Sequence, residues 1–157
     1  MNMVLANTAD ACSIAVMSRR FVESGLRGWS WDEARVAACI RDADSLVLTA
    51  RGPQGIAGAA IMRFAESSAH LGLLVVAPEC RRAGVGRGLI EWLEASARVA
   101  GTFLVSLEVR ATNEGARHFY RKLGYRELVC LPRYYQGVEA AVRMSRDLRN
   151  CRMQDTA

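Results

Sequence analysis

Apolar residues recur at two spacings along this chain, and each switch between them marks an element. Residues 3 to 6, MVLA, read as a short strand, and Asn7 or Thr8 can cap a helix reaching about Phe21 with Ala11, Ile14, Ala15 and Met17 as its apolar positions. GWSWDEARVAACI sets Ser30 three residues before Glu33, the spacing of a capping box, which predicts a second helix to about Ile40. From Ser45 the period falls to two. SLVLTAR, the turn GPQG at 52 to 55, IAGAAIMRF and AHLGLLVV predict three strands joined as an antiparallel meander. The last of these is almost wholly apolar, as a central strand requires, and Pro78 ends it. Helical spacing returns with Val85, Leu89, Leu93 and Ala97 and stops at Gly101. FLVSLEV then alternates, with Phe103, Val105, Leu107 and Val109 on one side and Leu104, Ser106 and Glu108 on the other, so a carboxylate stands in mid-strand. A helix over 113–123, capped near Asn113 and ended at Gly124, and a hairpin of YRELVCL and VEAAVRMSRDL around PRYYQG complete the pattern.

Composition adds charge to this outline. At 157 residues, 51% of them hydrophobic, the chain suits one domain with a real core, taken as 1–148, followed by a polar tail over 149–157. The net charge is +5, and of the 21 basic residues one, Lys122, is a lysine, so the positive charge is guanidinium suited to phosphate or carboxylate. Five cysteines (Cys12, Cys39, Cys80, Cys130, Cys151) show neither paired spacing nor zinc-ligand spacing, the usage of a reducing compartment. No basic residue precedes Arg19 and no apolar run reaches membrane-spanning length. A cytoplasmic protein without a membrane, metal or nucleic-acid partner is the expectation, as monomer or homodimer.

Candidate chemistry gathers in ECRRAGVGRGLIEWLEASARVAG, residues 79 to 101, where Gly84, Gly86 and Gly88 lie among Arg81, Arg82 and Arg87 at a helix start. A strand, a glycine-rich turn and a helix N-terminus aim several unpaired amides at one spot, backed by roughly half a unit of positive charge. A side chain there would hold a phosphate off the backbone, and about 1 kcal/mol per helical glycine is tolerable once each amide gains an anion. A P-loop is excluded, because Gly86 is followed by Arg87 and Gly88 rather than by Lys and a hydroxyl residue. A dinucleotide fingerprint is excluded too, because Leu89 stands where its third glycine belongs.

What fits is R-x-x-G-x-G over Arg81 to Gly86, which resembles the hallmark of the GCN5-related N-acetyltransferases, (Q/R)-x-x-G-x-(G/A), a cradle for the pyrophosphate of acetyl-coenzyme A. LEVRATN at 107–113 followed by FYRKLGY at 119–125 is similar, without a gap, to the L-E-V-R-x-S-N and L-Y-x-x-L-G-F of the ribosomal-protein-alanine N-acetyltransferases within that superfamily. GWSWDEA resembles the family's segment before the second helix, and RYYQGVEAAVRM its final hairpin; the likeness runs from about 3 to 147. Thr112, Arg81, Gly28 and Leu73 depart from the commoner residues.

The resemblance implies an α/β (α+β) fold: a mixed, mostly antiparallel sheet of about seven strands, splayed at the fourth and fifth, with about four helices on both faces. It implies that acetyl-coenzyme A is held by the backbone of Leu74, Val75 and Val76, by Arg81, Arg82, Ala83, Gly84, Val85, Gly86 and Arg87, and by Asn113. Acyl transfer to an amine needs a base and an acid. Glu108 is the candidate base, its pKa expected to rise toward neutrality by burial, against pairing with Arg110 or another arginine. Tyr120 is the candidate acid, against a packing role. Tyr134 and Tyr135 are candidate grips for a peptide acceptor, against simple surface tyrosines. His70 and His118 have no predictable geometry with Cys80 or Cys130, so direct attack in a ternary complex is expected rather than covalent catalysis. An α-amine, with a pKa of about 7.7 to 8.0, is a far easier acceptor than a lysine, which favours a protein N-terminus such as a ribosomal protein's. A small amine such as a polyamine or an aminoglycoside, and a non-catalytic acyl-coenzyme A or nucleic-acid-binding module, remain the alternatives.

Overall fold

A computed structural model of the chain describes residues 1–26 and 30–150. Gly28 and Trp29 of the GWSWDEA segment and all but the start of the expected polar tail therefore lie outside the described residues. One sheet holds β1 (Asn2–Leu5), β2 (Ser45–Gly52), β3 (Gly55–Phe64), β4 (Ser68–Val76), β5 (Leu104–Arg110), β6 (Arg126–Tyr135) and β7 (Glu139–Asp147), in the order β1-β2-β3-β4-β5-β7-β6. β4 and β5 are the parallel neighbours and the other pairs are antiparallel. That exception follows from connectivity, since a helical crossover between β4 and β5 brings the chain back to the same end of the sheet.

Helices α1 (Ala11–Phe21) and α2 (Glu33–Arg41) cover one face, and α3 (Val85–Val99) and α4 (Glu114–Lys122) the other. Asn7 starts the first helical segment as expected: its side chain accepts from the Ala9 amide while the Asp10 carboxylate accepts from its own amide, both at 2.9 Å. The α2 start differs from expectation. Asp32, not Ser30, is the cap, accepting from the Arg35 amide at 2.8 Å. The Ser30 amide is taken instead by the buried Glu23 carboxylate at 2.6 Å, a partner that local spacing does not reveal.

Val85, Leu89, Leu93 and Ala97 of α3 are buried together with Val105, Leu107 and Val109 of β5 and with Tyr120 and Leu123 of α4. The opposite layer packs Ile14 and Ala15 of α1 and Val36 of α2 on Ala59, Ile61, Leu73 and Val75. β4 serves both layers because of a bulge. Leu71 pairs with Met62 and Leu73 with Ile61, so Gly72 is an extra residue and the strand's inward side chains change faces across it. Trp31 packs against that point, where a Cβ on residue 72 would come within 2.9 Å of its ring.

Candidate active site

The ladder between β4 and β5 runs from Ser68 and Leu104 to Leu71 and Leu107 and then stops, although β4 continues to Val76 and β5 to Arg110. The strands splay there, as the resemblance implied. A cavity of about 860 Å³ passes through the opening, with Phe119 and Tyr120 of α4 on one side of the sheet and Phe21 and Trp31 on the other. Its size falls within the usual range for small-molecule and cofactor sites. Leu74, Val75 and Val76 line it along the β4 edge that has no strand partner.

The glycine-rich turn enters this cavity at the N-terminus of α3. The amides of Arg82, Ala83, Gly84, Val85 and Gly86 have no backbone acceptor among the described residues, and the Gly88 amide donates to the Gly84 carbonyl at 2.9 Å. Arg82 and Gly84 both have left-handed backbone, φ 63° and 80°, which bends the chain so that successive amides point the same way. Arg81, Arg82, Gly84, Val85, Gly86, Arg87 and Asn113 line the cavity; Ala83 is exposed beside it. Arg81 Nε donates to the Val76 carbonyl at 3.3 Å, tying the turn to the splayed strand. Asn113 accepts from the Ala116 amide as the cap of α4, which leaves its amide nitrogen for other work. Clustered donors, arginines and an open β-edge leading away from them are what a pyrophosphate joined to a long amide-bearing arm requires, so these residues fit acetyl-coenzyme A.

Glu108 stands two residues beyond Ser106 on the sheet face of α1 and α2, at the mouth of the splay. His70 Nε2 lies 2.7 Å from Glu108 Oε2, and the Tyr134 hydroxyl donates to Oε1 at 3.0 Å. Arg143, opposite Glu108 in the β5–β7 ladder, donates to Oε1 at 3.3 Å. The expected rise in its pKa does not occur. Burial is the largest single influence and raises it, but His70, Tyr134 and Arg143 together outweigh burial and hold the carboxyl below its ordinary value. The arginine that pairs with it is Arg143, not Arg110.

Tyr120 is buried between edge-on contacts to Phe119 and Tyr125, and burial, with a smaller push from Tyr135, raises its phenol well above the usual range. Tyr135 lines the cavity; Tyr134 does not and reaches Glu108 from outside it. Both belong to β6 rather than to a loop, in a stretch where register shifts between Leu131 and Tyr135.

A family model described as the acetyltransferase (GNAT) family matches residues 14–125. The chain belongs to that family. It is 36% identical over 93 residues to a ribosomal protein bS18-alanine N-acetyltransferase of Salmonella typhimurium, covering 57% of this chain and 63% of that protein. It is 35% identical over 80 residues to an N-alpha-acetyltransferase of Sulfurisphaera tokodaii, covering 50% and 48%. Across the curated relatives it matches, the chain spans about half their length, with 49%, 33% and 63% for three of them. The crystal structure of the ribosomal-protein-S18-alanine N-acetyltransferase from Escherichia coli superposes with a TM-score of 0.81 at 25% identity, covering 97% of this chain and 96% of that one. An aminoglycoside 6′-N-acetyltransferase complexed with coenzyme A shares the fold, with a TM-score of 0.79 at 17% identity and coverage of 97% and 99%.

Sequence reading passed over three residues at this GNAT site. Nothing local links His70 to a carboxylate 38 positions away. Glu23, buried at the cavity wall, accepts from the Ser18 hydroxyl at 2.9 Å and from the Ser30 amide at 2.6 Å, tying α1 to Ser30. Trp31 covers Gly72, and the apolar character of GWSW was its only signal.

Proposed function

We propose that this protein is an acetyl-coenzyme A-dependent N-acetyltransferase whose acceptor is the α-amine of a protein N-terminus, with Glu108 and Tyr120 as its proton-handling pair. One observation carries the reading: Glu108 and four of the five residues with open amides in the α3 turn, Arg82, Gly84, Val85 and Gly86, line a single cavity through a splayed sheet. The relatives named for protein N-terminal substrates favour a peptide acceptor.

Bound, the coenzyme supplies an acetyl thioester. The amides of Arg82 to Gly86, with Arg81, Arg82 and Arg87 beside them, hold its phosphates. Glu108, ionised at neutral pH, attracts the acceptor's ammonium group and takes its proton. Its lowered pKa makes it a modest base, adequate for an α-amine that is roughly a tenth neutral at pH 7 and poor for a lysine. His70 is not among the residues lining the cavity and 43% of its side chain is exposed, so Glu108 and His70 form a path from the cavity to solvent for that proton. Tyr120 holds its proton at neutral pH and is present in the donor form when the sulfur departs, although burial makes it a weaker acid than an ordinary tyrosine. Tyr135 and Trp31 wall the acceptor side. A polyamine would need free carboxylates there, and Glu23 is already engaged by Ser18 and Ser30.

The test is thiol release from acetyl-coenzyme A with an N-terminal peptide library beside a small-amine panel. Peptide turnover is expected, reduced about 10²- to 10³-fold in kcat in Glu108→Gln and in Tyr120→Phe, with coenzyme affinity by calorimetry unchanged. Undiminished kcat in both variants removes the assigned roles. Turnover confined to small amines removes the peptide acceptor.

A further inference from the structure

Among the described residues one buried side-chain nitrogen or oxygen has no hydrogen-bond partner: Arg110 Nη2. Native proteins leave few such groups, and a charged donor without a partner is the costliest kind to bury. Arg110 follows Glu108 by two positions on β5, so both project to the face of α1 and α2, with Cα atoms about 6 to 7 Å apart as strand geometry dictates. The rest of its guanidinium is fixed. Nη1 donates to the Ser24 carbonyl at 2.7 Å, just after α1, and Nε lies 3.4 Å from Glu139 Oε2 at the start of β7. With two corners of a planar group anchored, the direction of the third is set, and Arg110 lines the same cavity as Glu108 and Tyr135.

The site around Nη2 is close to neutral overall, because Glu139 balances the guanidinium and Arg143 balances Glu108. A neutral oxygen therefore suits it better than a further carboxylate. It also lies on the acceptor side: the amides that fit the coenzyme's phosphates belong to α3, which packs on the opposite face of the sheet. An amine presented to Glu108 by a peptide carries carbonyl oxygens within one or two residues, a few ångströms along the chain, which matches the Glu108 to Arg110 spacing. An alkylamine offers no such oxygen.

We propose that Arg110 is a specificity residue for the acceptor, its Nη2 donating to a carbonyl oxygen of the first two residues of a peptide and so favouring N-terminal α-amines over simple amines. This rests on the peptide reading above. A purely structural strut between β5, the segment after α1 and β7 is the competing account, and it predicts no sensitivity to the substrate's carbonyls.

The experiment pairs protein and substrate changes. A tetrapeptide turned over by the unmodified protein is compared with its analogues bearing a thioamide, a weaker acceptor, at the first or second carbonyl, in the unmodified protein and in Arg110→Lys and Arg110→Met. The expected result is a roughly 10-fold rise in peptide KM in both variants, with kcat and coenzyme affinity little changed. One thioamide is expected to raise KM several-fold in the unmodified protein and to have no further effect in the variants, the non-additivity of a direct contact. Equal thioamide effects in all three proteins, or variants that lose thermal stability and coenzyme affinity together, overturn the assignment in favour of the strut. If the unmodified protein acetylates no peptide, the underlying reading fails, and this assignment with it.

Discussion

Glu108 shows how one side chain's chemistry is set by groups far away in sequence. His70, Arg143 and Tyr134 lie 38, 35 and 26 positions from it and meet it because β4, β7 and β6 converge there. Its presence in mid-strand is legible from the alternation of FLVSLEV; its partners are not. The carboxyl is harder to protonate in the folded protein than in the unfolded chain, so the unfolded state binds more protons through this window. Its contribution to stability is therefore complete above the ordinary value of 4.5 and fades as pH falls through the lower folded value. Urea unfolding of the protein beside Glu108→Gln is expected to show a stability difference that is constant near neutrality and shrinks below about pH 4.5. A difference that does not change in acid contradicts the three-partner account.

At the scale of the element, the α3 turn separates three glycines that look equivalent in sequence. Gly84 holds φ at 80°, a conformation that costs a side-chain-bearing residue about 1–2 kcal/mol, so Gly84→Ala is expected to destabilise by that amount. A Cβ at Gly86 would sit 3.4 Å from Phe119 and 3.5 Å from Val76, ordinary contact that the fold tolerates. Gly86→Ala is then expected to leave the thermal midpoint within a few degrees while weakening coenzyme binding about 10-fold, read by differential scanning fluorimetry and calorimetry. Equal coenzyme affinity in that variant would show that the phosphates do not approach this turn. Gly88 faces Met3 of β1, where an added Cβ would meet the thioether methyl at 2.7 Å, so its role is packing. The α2 cap carries a similar lesson: Ser30 and Asp32 are both good caps by type, but Asp32 accepts from the Arg35 amide while the Ser30 hydroxyl accepts from Arg35 Nη1 and its amide goes to Glu23.

Across the whole molecule, the splay leaves the β1–β4 half and the β5–β7 half joined by a short ladder. A buried network reinforces the join. Arg146 of β7 donates to both oxygens of Glu94 of α3, at 3.0 and 2.8 Å, and the Tyr125 hydroxyl donates to the same carboxylate at 3.1 Å. With exposures of 7% and 1%, removing one charge strands the other, so Arg146→Met is expected to cost about 3–5 kcal/mol. Glu94→Leu combined with Arg146→Met is expected to recover most of that loss, because the desolvation of both charges disappears with them. Denaturant midpoints check both; a double variant as unstable as the single one would assign the loss to packing.

Sequence by itself determined the order and type of the elements, the glycine turn at the start of α3 and the carboxylate of β5. These depend on neighbours within about four residues, where side-chain periodicity, caps and turns are encoded. Tertiary structure alone decided the bulge at Gly72 that turns β4 from one core layer to the other, the insertion of β7 between β5 and β6, the downward pull on Glu108 and the orphaned nitrogen of Arg110. Each arises from groups tens of residues apart brought into contact by strand pairing and burial, and local spacing carries no record of such meetings.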